Sequence, residues 1–171
     1  GIPGDRKLEA GDIISLDLGI NYQGYYSDAA ITMPVGAVER KKQKLIDVTK
    51  NALYEGIKAA KANRNLSDIS YSIQNYVESN GFSVVRQFVG HGIGHKLHEE
   101  PEIPNFGRPH LGPVLKSGMV LAIEPMVNMG SWESRILDNG WTAVTEDGLA
   151  SAHFEHTVAI TNQGAEILTK E

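Results

Sequence analysis

The stretch Leu8-Glu9-Ala10-Gly11-Asp12-Ile13-Ile14-Ser15-Leu16-Asp17 reappears 107 positions later as Leu115-Lys116-Ser117-Gly118-Met119-Val120-Leu121-Ala122-Ile123-Glu124. Both copies keep the leucine, the glycine three residues on, the apolar run and a carboxylate at its end. Such a shared order reads as an internal duplication. In each half a second apolar run carries another acid: Asp28 in Tyr26-Ser27-Asp28-Ala29-Ala30-Ile31 and Glu155 in Phe154-Glu155-His156-Thr157-Val158. Two pseudo-symmetric hairpins would therefore each present two carboxylates to a shared centre.

Acids embedded in apolar strands need compensation, because an unpaired buried carboxylate costs several kcal/mol or takes up a proton. Any one of them could be a strand-end residue paired with Lys, Arg or a backbone donor. Four in a repeat point to a common cationic partner. The glycine-flanked His91 of Gly90-His91-Gly92-Ile93-Gly94 adds one nitrogen donor. Four carboxylates are balanced by two divalent ions, whereas one would leave a surplus of negative charge, so a carboxylate-bridged dinuclear centre is the economical reading. Mixed oxygen and nitrogen ligation suits Mn, Fe, Co or Zn, and the residues do not choose among them.

Composition narrows the alternatives. The chain has 171 residues, 16 Lys+Arg against 21 Asp+Glu, 41% hydrophobic residues and no cysteine, which fits one globular domain and excludes disulfides, thiolate metal sites and cysteine nucleophiles. No apolar run approaches the roughly 20 residues that span a bilayer. Residues 38–64 are locally basic (Arg40, Lys41, Lys42, Lys44, Lys50, Lys58, Lys61, Arg64), which reads first as the solvated face of an amphipathic helix and second as a docking surface for an anionic partner such as a ribosome. The glycines around His91 do not form GxGxxG, and neither HExxH nor GxSxG occurs. His110 and His156 read as structural and His95 is left unassigned. His153, two positions from Glu155 and so on the same strand face, reads as support for the centre.

Periodicity predicts an α+β chain. A hairpin of strands at about 12–19 and 22–33, turning at Asn21 and Gly24, precedes a helix at about 38–63 and a second helix at about 67–80, capped by Asn65 or Ser67 and stopped by Gly81. A strand over 82–89 runs into Gly90. Residues 99–113, with four prolines, read as an irregular loop. Residues 119–129 read as a strand interrupted by Glu124-Pro125, and 141–145 with 150–161 as a hairpin around Asp147-Gly148.

Leu16-Asp17-Leu18-Gly19, Tyr26-Ser27-Asp28, Gly90-His91-Gly92-Ile93-Gly94, His98-Glu99-Glu100-Pro101, the run from Gly118 to Met126, Asp138-Asn139-Gly140-Trp141 and the run from Ser151 to Thr157 together resemble the type I methionine aminopeptidases of bacterial kind, end to end and in family order. The resemblance implies a pita-bread fold of two pseudo-symmetric halves around two divalent ions, and a cytoplasmic enzyme that removes the N-terminal methionine of nascent or short polypeptides by a water activated between the metals. It implies that Asp17 chelates one ion, that Asp28 and Glu155 bridge both, and that His91 and Glu124 complete the other. Glu124 would also shuttle the proton, His98 would donate to the oxyanion, and Leu97 with Trp141 would wall the side-chain pocket.

The family also carries, ahead of the region matching Gly1-Ile2-Pro3, a two-helix section with part of the methionine pocket and a substrate-contacting histidine. The repeat gives the same expectation, since residues 37–114 precede the second Leu-x-x-Gly strand and only seven residues precede the first. Residues 1–171 are thus expected to form one metallopeptidase catalytic domain, 1–36 being the remainder of a truncated first half and 37–171 the second half, with an apolar face uncovered. The alternatives are an impaired pita-bread module that binds peptides or a protein partner, and an aminopeptidase P or prolidase-like Xaa-Pro peptidase.

Overall fold

A computed structural model describes residues 4–170; Gly1, Ile2, Pro3 and Glu171, with any reading of the chain's first residues, lie outside them. The two copies of the repeat open β1 (Ile13–Tyr22) and β6 (Val120–Ile123) by the same hydrogen bonds. Gly11 N–H donates to Val35 O and Val35 N–H to Asp12 O, both at 2.9 Å; in the second half Gly118 N–H donates to Ile160 O at 2.9 Å and Ile160 N–H to Met119 O at 2.8 Å. Both glycines have positive φ, +99° for Gly11 and +94° for Gly118, a backbone that side chains adopt only under strain. The duplication is therefore one of backbone geometry, and the repeated glycine is its requirement.

β2 (Tyr25–Pro34) and β11 (Glu155–Thr161) are the second strands of the two halves. The main sheet runs β1-β2-β11-β6-β4-β5, with β4 at Gly90–Gly92, β5 at Glu99–Ile103, and β12 (Gly164–Ile167) also paired to β11. Its first four strands read alike from either end: each repeat strand lies outside its acid-bearing partner, and the two partners meet in the middle. Between the halves stand α1 (Arg40–Ala59) and α2 (Ser67–Ser79). The α1 stripe Leu45, Val48, Ala52, Leu53 and Ile57 and the α2 stripe Ile69, Ile73 and Val77 join Leu121, Ile123 and Val158 of the sheet in one core. Each fully buried aliphatic side chain there contributes roughly 1.5–3 kcal/mol. The matching face of the first hairpin is bare: Leu16, Leu18, Ile20, Ile31 and Met33 are 45% to 65% exposed.

Several expected boundaries move. The first hairpin turns at Gln23-Gly24, both at positive φ, and Asn21 pairs with Tyr26 inside the ladder. Neither Asn65 nor Ser67 caps α2, because the returning loop takes both side chains: Asn65 donates to Gly112 O and Ser67 Oγ accepts Leu111 N–H. The first five residues of the proline-rich 99–113 segment form β5 rather than loop, at the sheet edge where a proline withdraws no interior ladder bond. The 82–89 run keeps only β3 (Ser83–Val84) as strand. No hairpin forms around Asp147-Gly148. Instead the Asp147 carboxylate holds Ser131 N–H and Leu149 N–H, and β9 (Ala143–Thr145) pairs back to β8 (Ser134–Ile136).

The decisive difference concerns the two interrupted strands. β7 (Met126–Asn128) and β10 (Ser151–His153) leave the main sheet and pair with each other and with β3 in a second sheet. The chain changes sheets at Glu124-Pro125 and again at Phe154, and Phe154 N–H donates to Pro125 O at 3.3 Å to tie the two crossings together. Glu124 and Glu155 stand at these crossings, where the ladder opens.

Candidate metal centre

Strand register gathers the acids. Asp17 pairs with Ala30, Ala30 with Glu155, and Gly19 with Asp28; Thr157 pairs with Ala122, and Ala122 with His91. These positions are two apart along each strand, so their side chains share one face. The ligand atoms of Asp17, His153 and Glu155 lie within 4.8 Å of one another, as do those of Asp28, His91 and Glu155. Glu155 belongs to both groups. Glu124 joins through Oε1, which lies 3.5 Å from His91 Nε2.

Local structure explains each placement. Thr157 Oγ1 accepts Asp28 N–H at 2.9 Å and donates to Asp28 O at 2.8 Å, pinning β2 to β11 beside the acid. β4 is squeezed between β5 and β6, where a Cβ on Gly90 would strike the Ala122 carbonyl oxygen and one on Gly92 the Glu100 carbonyl oxygen. This is why glycines flank His91. Its Nδ1–H donates to Gly92 O at 2.9 Å, which leaves the Nε2 lone pair facing the acids. Buried Asn105 donates from Nδ2 to Glu124 O at 3.1 Å.

Burial raises the proton affinity of the carboxyls, and their mutual repulsion adds to it: Glu155 is pushed up to about 10 and Glu124 to about 7, and Asp28 is raised as well. Burial lowers His91. Asp17 alone among the four acids is held below its ordinary value, by the His153 imidazole beside it. Glu155 Oε1 is buried and has no hydrogen-bond partner among the described residues. Crowded acids, an orphaned carboxylate oxygen and an imidazole with its lone pair turned inward form a donor set that fits divalent cations.

The His98 ring meets that of His91 edge-on with centroids 4.3 Å apart, and both line a cleft of about 660 Å³ that Val89, Lys96 and Glu99 also border. The Leu97 side chain covers Gly19, where a Cβ would stand 3.1 Å from Leu97 Cδ1 and 3.6 Å from Asp28 Oδ1. Trp141 projects from the β8–β9 turn, 66% exposed, and no hydrogen bond, ion pair or ring contact among the described residues joins it to the cluster. His95 faces Gly24 O and stacks on Tyr25, His110 pairs with Asp68 at 3.1 Å, and His156 meets Thr169 Oγ1 on the far face. Sequence reasoning missed Thr157, Thr32 and Asn105 as supports. Hydroxyls and an amide carry no spacing signal, and only the strand pairing makes their partners known.

Residues 1–162 match metallopeptidase family M24. The chain is 58% identical to a methionine aminopeptidase of Clostridium perfringens over 99% of its own length and 68% of the relative's, and 55% identical to methionine aminopeptidase 1 of Bacillus subtilis with the same coverage. The crystal structure of the Thermotoga maritima methionine aminopeptidase superposes with a TM-score of 0.94 at 53% identity, covering 95% of this chain and 66% of that one. The chain thus spans about two thirds of the length of these relatives.

Proposed function

Since the chain belongs to metallopeptidase family M24, and within it to the methionine aminopeptidases, we propose that it removes the N-terminal methionine from short or nascent polypeptides at a centre for two divalent ions. The observation that carries this reading is the pair of three-residue ligand groups sharing Glu155. Asp17, Asp28, Glu155, His91 and Glu124 would hold the ions. Bound there, divalent cations lower the pKa of water and polarise a peptide carbonyl.

The chain's own residues do the rest. Glu124, whose Oε1 stands 3.5 Å from His91 Nε2 at the crossing between the two sheets, would relay the proton from the attacking water to the departing amine. His98, beside His91 on the cleft wall, is placed to donate from its ring to the carbonyl oxygen as negative charge develops. Leu97, lying over Gly19 next to Asp28, walls the methionine pocket. Exopeptidase action then follows from geometry, because only the first residue of a chain can present a free α-amine to the cation site.

The test is hydrolysis of Met-Ala-Ser by the 171-residue chain after loading with Mn, Co or Fe under anaerobic conditions, beside an Xaa-Pro peptide. Release of free methionine, lost in chelator, is expected. Cleavage of the Xaa-Pro peptide alone, or equal cleavage with and without chelator, rules out the proposed activity.

A further inference from the structure

We propose a second ligand site, for a mononucleotide, in the angle between the end of α1 and the start of α2. A cavity of about 290 Å³ opens there between Lys61, Arg64, Tyr71 and the returning loop at His110, and it shares no lining residue with the cleft over the metal centre. Its walls are fixed by backbone pairing. Asn63 N–H donates to Leu115 O at 2.9 Å, Leu115 N–H to Arg64 O at 2.8 Å, Leu66 N–H to Pro113 O at 2.9 Å and Ser67 N–H to Leu111 O at 3.2 Å. Asp68 closes the ribbon, since its Oδ1 accepts His110 N–H at 2.8 Å and lies 3.1 Å from His110 Nδ1. A ligand entering this cavity has little backbone to order, which keeps the cost of binding low.

Charge selects the class of ligand. Asp68 is taken by His110, and Lys58 on the cavity rim donates to Glu55 at 2.6 Å. Lys61 and Arg64 are exposed and form no ion pair or side-chain hydrogen bond among the described residues. Two unpaired cations match one phosphate monoester, which carries close to two negative charges at neutral pH, and the guanidinium fork can hold two of its oxygens. They are too few for a nucleic-acid strand, whose binding neutralises many phosphates, and the basic run is broken where Lys42 and Lys44 donate to the carbonyls of Gly11 and Asn80.

Tyr71 turns a phosphate site into a nucleotide site. It lines the same cavity and is 44% exposed, so an aromatic surface stands beside the two cations. A base stacks on such a ring whatever its identity, because every base has a π-face. The volume lies at the small end of ligand cavities and suits one nucleotide.

The 171-residue chain with divalent ions bound is titrated with adenosine 5′-monophosphate and followed by the ring proton signals of Tyr71 and His110, identified by their loss in Tyr71→Leu and His110→Gln. Both sets of signals should shift together with one affinity. Adenosine, which lacks the phosphate, should bind at least about 10-fold more weakly, and Lys61→Gln with Arg64→Gln should weaken the monophosphate by a similar factor. Tyr71→Leu should weaken it at least about 5-fold and leave ribose 5-phosphate unchanged, a split that a merely structural role for Tyr71 would not produce. Absence of shifts at Tyr71 and His110, adenosine binding as tightly as the monophosphate, or unchanged affinity in the Lys61→Gln, Arg64→Gln double variant overturns the site. A ten-nucleotide single-stranded RNA binding far more tightly than the monophosphate, with a steep salt dependence, would make this face a strand-docking surface and overturn the mononucleotide reading.

Discussion

At the residue scale the centre depends on a few side chains that strand pairing brings together. Asp28 sits between the two halves, its backbone clamped by Thr157 and its carboxylate among the donor atoms of Glu155 and His91. Asp28→Asn removes a charge from that position without changing its shape. Metal content should fall from near two ions per chain to one or fewer, and peptide hydrolysis by more than the 10–100-fold typical of supporting residues, as read by elemental analysis and a Met-Ala-Ser assay. Full metal content in the variant would show that Asp28 does not bridge. Thr157→Val keeps the volume but strips both hydrogen bonds from the Asp28 backbone; urea denaturation should show a loss of about 1–3 kcal/mol, the cost of leaving buried polar groups unpaired.

At the scale of elements, one pattern of alternation meets two environments. The outward residues Ile123 of β6 and Val158 of β11 are buried in the helix-covered core, while their counterparts, Leu16 of β1 and Ile31 of β2, are close to half exposed, and Leu18 and Ile20 further along β1 are more so. Paired substitutions expose the difference. Val158→Thr should cost about 1–3 kcal/mol by burying a hydroxyl in the helix-covered core. Leu18→Thr with Ile20→Thr should leave stability within about 0.5 kcal/mol for each change and reduce binding of a hydrophobic dye. Urea titration and dye fluorescence measure both; an equal cost at the two places would mean that the β1–β2 face is covered in solution. Three of the basic residues of α1 have partners: Lys42 ties to Gly11 O, Lys44 to Asn80 O and Lys58 to Glu55.

At the scale of the whole molecule, the centre opposes folding until cations neutralise it. Glu155 keeps its proton in the folded chain up to about pH 10, whereas in the unfolded chain it loses it near 4.5. A raised folded-state value means stability that is complete below the unfolded pKa and lost as pH rises towards the folded one. His91 and His156, lowered by burial, act in the opposite sense only below about pH 6.5. In chelator, therefore, stability should fall between pH 7 and pH 9, by up to about 1.4 kcal/mol per pH unit for each retained proton, and Co(II) or Mn(II) should reverse the fall. Thermal melts across that range check both; a flat metal-free profile would count against the crowded acids. Much of this was legible beforehand, because a repeated Leu-x-x-Gly, two pairs of acids and a glycine-flanked histidine are patterns of residue type and spacing. The sheet crossings at Glu124-Pro125 and Phe154, the β5 edge strand and the supports Thr157, Thr32 and Asn105 were not, since each depends on a partner far away in the chain. The sequence by itself determined the duplication, the acid set and the absence of sulfur ligands, which are local chemistry. Only the tertiary structure decided that β10 leaves the main sheet and turns Nε2 of His153 towards three carboxylates, because a side chain's surroundings are set by which strands pair.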